Sequence, residues 1–138
     1  MPTRHRAREM VVQVCYRWVF ADPKLLNSKN VELYWQEQAK DEDNKEFYLN
    51  LIQGVSNNLP VIDQKIESVL VNWKFERIDK VDLSILRVAT CELLFPEFEK
   101  KIDTAVIINE ALQISKVYAS QDSSSFINGI LDKISEKR

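Results

Sequence analysis

Glycine occurs only twice in 138 residues, at Gly54 and Gly129, and that scarcity disfavours most β-rich folds. Hairpins and tight turns between strands draw on glycine for backbone conformations with positive φ. The Asn128-Gly129 pair lies inside a stretch of helical apolar spacing, not between two alternating runs. Helical periodicity dominates elsewhere too. The expected fold is all-α, a single domain over residues 1–138 with about seven helices.

The first helix is expected over 3–20, stopping before Asp22-Pro23, and a short second over 31–40. A third opens at Asp41-Glu42-Asp43, whose charges suit the positive start of a helix, and runs to about 57. Pro60 opens a fourth that reaches 73, and a fifth spans 79–95 ahead of Pro96. A polar link over 97–101 leads to a sixth, from Asp103 or Thr104 to 119. The seventh follows a cap at Asp122 or Ser123 and runs to the C-terminus. Because the fifth is apolar around most of its circumference, it should be the buried hub. Arg87 and Glu92 within it then need partners of opposite charge.

Hydrophobic residues at 45% and charged residues at 29% describe a soluble globular domain, and no apolar run reaches the length of a membrane span. Gln13 and Arg17 interrupt the apolar stretch behind the basic start, so it does not read as a secretory signal. Cys15 and Cys91, both in helical patterns, read as buried thiols of a cytosolic protein and not as a disulfide. Catalytic patterns are missing. His5 is the single histidine, no CxxC or HExxH spacing occurs, and two glycines cannot build a phosphate or dinucleotide loop. The expectation is a non-enzyme without metal or cofactor.

Charge distribution points elsewhere. The net charge is −2, yet residues 2–20 hold four arginines against one glutamate, while residues 22–50 hold four lysines against seven acids. Any nucleic-acid surface must therefore be local. On the first helix Val11, Val14, Cys15 and Trp18 form an apolar stripe, with Arg6, Gln13 and Arg17 opposite. Arg4 and Arg6 fit phosphate contacts at the positive helix end. Arg8, nearer the core, fits a buried or bridging ion pair. Tyr16 flanks the stripe, either as a boundary core residue or as a stacking platform. Lys116, Tyr118, Gln121, Asp122 and Phe126 surround the last turn, where exposed aromatics beside amides and cations can read unstacked RNA bases. The local alternative makes Tyr118 and Phe126 bundle closures and Asp122 a helix cap. Asn128 and Gly129 read as close-packing residues.

These segments form a family pattern. Arg6-Ala7-Arg8-Glu9 followed by Tyr16 resembles the opening of the NusB transcription antitermination family. The run from Ile85 to Leu93 resembles its central helix, and those from Ile108 to Lys116 and from Ser125 to Lys133 resemble its two closing helices. The resemblance implies two packed helical sub-bundles and a non-catalytic adaptor. Such an adaptor binds boxA RNA together with the ribosomal protein NusE, and through that complex joins NusA, NusG and RNA polymerase. Carried over by position, the implied RNA surface comprises Arg4, His5, Arg6, Tyr16, Tyr118, Asp122, Ser123 and Phe126, with Lys116 beside them. Asp82 falls where the family offers an acidic contact to NusE.

Three departures from that pattern stand out: Cys91 where an aromatic is usual, Ala119 for a common glycine, and Ser125 where some relatives carry a basic residue. Competing readings are an RNA-guiding module associated with a ribosomal RNA methyltransferase, and a purely protein-interacting module such as a homodimer. The initial methionine, the charged tail and the lack of methyltransferase motifs favour a stand-alone cytoplasmic protein without membrane contact.

Overall fold

The computed structural model describes residues 3–22, 29–39, 43–95 and 103–136, which are helical without a strand. Helix α1 (Arg4–Val14) passes directly into a π-helical turn, Cys15–Val19. It is followed by α2 (Lys29–Gln38), α3 (Lys45–Ser68), a 3₁₀ turn (Phe75–Arg77), α4 (Lys80–Leu94), α5 (Thr104–Tyr118) and α6 (Gln121–Glu136). Pro23, the Asp41-Glu42 start, Pro96 and the link over 97–101 lie outside the described residues.

Six helices carry the seven expected segments because the third and fourth are continuous. The break ahead of Pro60 survives as a kink at Asn58, with φ −121° and ψ 15°. Proline has no N–H to donate and crowds the preceding turn, so the helix bends there. Asn58 Nδ2 donates to the Gly54 carbonyl at 2.8 Å across the bend. The segment after the kink stops at Ser68 and not at residue 73. Asn72 takes φ 56°, in the left-handed region, which no helix can pass through.

Side-chain caps mark the starts of α1, α4, α5 and α6. Thr3 accepts from the Arg6 N–H at 3.1 Å, Asp79 from the Val81 N–H at 2.9 Å, and Asp103 from the Ala105 N–H at 2.9 Å. At α6 the cap is Ser120, whose Oγ accepts from the Ser123 N–H at 3.2 Å. Asp122 is thus inside the first turn, and its expected capping role is corrected. Its carboxylate still suits the positive end of the helix.

The helices form two packed groups. α1 and α2 pack with α3; α4, α5 and α6 pack on one another; the two groups join along α3 and α4, the most extensive helix pair among the described residues, and α4 also meets α1. In the first group the rings of Trp35 and Tyr48 lie 4.9 Å apart, and Tyr48 OH donates to the Val31 carbonyl at 2.7 Å. α4 is the hub, with every residue from Asp82 to Leu93 buried. Each fully buried aliphatic side chain there contributes about 1.5–3 kcal/mol through removal from water.

Arg87 and Glu92 on this buried helix are both paired. Arg8 forks onto Glu92, Nε to Oε1 at 2.8 Å and Nη2 to Oε2 at 3.0 Å, and its Nη1 reaches Glu110 at 3.3 Å. Arg87 forks onto Asp63 at 2.8 and 2.9 Å. Cys15 and Cys91 are buried thiols, not joined in a disulfide. Gly129 corrects another expectation: it is exposed, and a Cβ built on it would meet nothing within 4 Å, so close packing does not require glycine there.

Candidate nucleic-acid interface

The basic start of α1 is held against acids and one ring. Arg4 is exposed, its guanidinium carbon 4.4 Å from the Phe47 ring centroid, with Arg8 over the same ring at 5.0 Å. His5 Nδ1 contacts the Glu110 carboxylate and Arg6 contacts Glu9 one turn on, both side chains half-buried. The expected positive patch is therefore one in which pairing has partly neutralised the charge. Arg8 belongs wholly to the core.

One hydrogen-bond chain connects this start to the last turn. Tyr34 OH donates to Gln13 Oε1 at 2.5 Å, Gln13 Nε2 donates to Tyr118 Oη at 2.7 Å, and Tyr118 OH donates to Glu9 Oε2 at 2.9 Å. Each group makes one donation and the chain ends on a carboxylate, so the polarity is consistent throughout. Burial and then the Glu9 carboxylate raise the Tyr118 hydroxyl above its ordinary pKa, keeping it a donor. The chain orients a ring that remains 40% exposed. Tyr16 is 49% exposed, its ring 6.3 Å from Phe20 in an edge arrangement. Tyr16 is therefore a surface residue whose ring edge packs on Phe20.

Tyr16 and Tyr118 line one groove of about 710 Å³, together with Gln13, Arg17, Tyr34 and Lys80. Lys80 belongs to the first turn of α4, two residues before Asp82. Asp82 Oδ2 accepts from Ser123 Oγ at 3.0 Å, which carries the surface on to the start of α6. Asp82 is buried and its other oxygen has no hydrogen-bond partner; burial raises its pKa, partly offset by Ser123 and reinforced by Asp79. Farther along α6, the half-buried Phe126 ring lies 5.7 Å from that of Trp73, itself 53% exposed. Lys116 and Asp122 are exposed on either side of the turn.

The site residues thus divide. Tyr16 and Tyr118 share the groove, Asp82 and Ser123 bond directly, and Phe126 sits with Trp73. Arg4, His5 and Arg6 occupy the start of α1, where Arg6 and Tyr118 meet on Glu9. Gln13, Tyr34, Lys80 and Trp73 did not stand out in the sequence, since their partners come from other helices. Among the described residues, no group of histidine, cysteine and acidic side chains could hold a metal, and no helix is long and apolar enough to cross a membrane.

A model of the NusB family matches residues 5–136. The chain belongs to the NusB family. It is similar to the transcription antitermination protein NusB of Sulfurimonas denitrificans, 36% identical over 138 residues with both chains fully covered. The Syntrophus aciditrophicus protein of the same name is 39% identical over 137 residues, covering 99% of this chain and 82% of that one. Among solved structures, T. maritima NusB superposes with a TM-score of 0.83 at 33% identity, covering 100% of this chain and 94% of that one.

The departures from the NusB-family pattern can now be placed. Cys91 is fully buried within α4, a packing position. Ala119 has φ −128° and ψ 178°, extended backbone open to any residue, so the turn between α5 and α6 does not need a glycine. Ser125 is exposed on α6 and brings no charge to that surface.

Proposed function

We propose that the protein is a non-catalytic antitermination factor that binds boxA-type single-stranded RNA together with NusE. The complex would link that RNA to NusA, NusG and RNA polymerase during ribosomal RNA synthesis. The observation that carries the RNA reading is the oriented, exposed Tyr118 ring beside Tyr16, bonded through Glu9 to the arginine-bearing start of α1. Stacking on aromatic rings flanked by cations suits unpaired bases and tolerates sequence variation. Arg4, His5 and Arg6 supply the phosphate side of this reading, and Lys116, Asp122 and Ser123 its polar rim.

Phe126, on the RNA side with Tyr118 and Asp122, also extends this surface toward the protein partner. With the exposed Trp73 it makes an apolar surface, the chemistry of a protein contact. Asp82, the acidic contact to NusE in this reading, acts through its bond to Ser123, since its own carboxylate is buried.

The test is a titration of labelled boxA RNA against the protein, with and without NusE, at two salt concentrations. Weak binding alone, tighter binding with NusE, and affinity that falls with salt are expected. A folded protein that binds no RNA even with NusE would overturn the proposal.

A further inference from the structure

The groove beside Tyr16 contains more chemistry than the RNA residues named above account for. Its described lining residues include four aromatics besides Tyr16, two cations and no carboxylate. Arg17 lies with its guanidinium carbon 5.6 Å from both the Trp18 and the Tyr34 ring centroids, and Lys80 Nζ is 5.4 Å from the Phe20 ring centroid. A cation over a ring keeps its charge available to an anion. At about 710 Å³ the groove falls in the ~300–1,000 Å³ range of small-ligand sites.

The backbone at this place is unusual as well. Tyr16, Arg17 and Trp18 all belong to the π-helical turn Cys15–Val19, and such turns inside α-helices concentrate at functional sites. The wider turn departs from the 100° step of an α-helix. It leaves Tyr16 and Arg17 exposed while Trp18 is turned onto the Tyr34 ring, 6.1 Å away and edge-on.

We infer that this groove is a nucleotide subsite, extending the RNA surface onto α2 and α4. One unstacked nucleotide of a single strand enters it, with its base against Tyr16 and its phosphates between Arg17 and Lys80. The inference rests on the RNA reading above. It adds Arg17 and Lys80 as phosphate-binding residues and the Trp18–Tyr34 pair as the wall that holds Arg17 in place.

The experiment measures affinity for a labelled single-stranded boxA RNA, with the full chain in complex with NusE, across a series of salt concentrations. Each phosphate contact adds about 0.7 to the slope of log affinity against log salt for a single strand. Arg17→Gln and Lys80→Gln should each flatten the slope by about 0.7, while Arg17→Lys should keep it. Lys133→Gln, exposed on α6 outside the groove, should leave it unchanged. Circular dichroism checks that each variant is folded. Wild-type binding with unchanged slopes in Arg17→Gln and Lys80→Gln overturns the subsite and leaves the RNA reading standing. No RNA binding by the wild-type complex overturns both.

Discussion

Tyr118 donates its hydroxyl to Glu9 at 2.9 Å, joining residues 109 positions apart and fixing the end of α5 against the first helix. Glu9 also holds Arg6, so one carboxylate positions both an aromatic ring and a cation of the candidate interface. Gln13 completes the arrangement by donating to the same phenol. Two substitutions separate what the hydroxyl does from what the ring does. Tyr118→Phe keeps the ring and should cost about 0.5–1.5 kcal/mol of stability through the lost hydrogen bonds, with a small effect on RNA affinity. Tyr118→Ala should lose roughly 1–3 kcal/mol of RNA binding energy through stacking. Urea unfolding and RNA titration on both variants check this; equal RNA losses would argue against a stacking role.

Arg8 and Glu92 form a buried, forked pair, and removing Arg8 takes its two charge-assisted bonds from a carboxylate held away from water. Arg8→Met should destabilise the fold by about 3–5 kcal/mol in urea unfolding. Adding Glu92→Met should recover part of that loss, because it removes a buried carboxylate that has lost its forked partner. A double variant less stable than the single one would contradict this.

The need for these pairs was legible in the sequence, because a charge inside an otherwise apolar helix has few alternatives to a partner. Other features were not. Five of the residues from Ser120 to Ser125 can cap a helix, and local sequence alone does not select Ser120 over Asp122. The kink at Asn58 reads as a helix boundary, since proline signals a break but not whether the chain bends or ends. The groove escaped detection for two reasons. A 100° step cannot anticipate a π turn, and Tyr34 and Lys80 reach Arg17's surroundings only through tertiary packing. Family resemblance pointed to Tyr16, Tyr118 and Ser123 but said nothing of the chain that orients Tyr118.

Asp82 should make stability depend on pH. Its folded pKa is raised above the ordinary carboxylate value, chiefly by burial, so the folded state holds the proton more tightly than the unfolded state. Its contribution is therefore most favourable below the ordinary pKa of about 4 and is lost as pH rises through the raised value. Asp82→Asn should melt higher than wild type at pH 7, with the difference shrinking toward pH 4. A difference that grows on acidification would contradict the assigned cause.

Cys15 is fully buried, and burial pushes its thiol up to about 12 despite nearby Arg87. A thiol held protonated away from solvent is a poor nucleophile. Neither Cys15 nor Cys91 should react with an aromatic disulfide reagent in the native protein, and both should react after denaturation. Fast native labelling would show that α1 and α4 open.

The central claim is that one face, built from α1 and the α5–α6 turn, receives single-stranded RNA. Backbone NMR shifts recorded as boxA RNA is added to the protein–NusE complex test it most directly. Shifts should concentrate in residues 4–18, at Tyr34 and Lys80, and in residues 116–123. Shifts confined to the exposed side of α3, with these positions silent while RNA is bound, would contradict it.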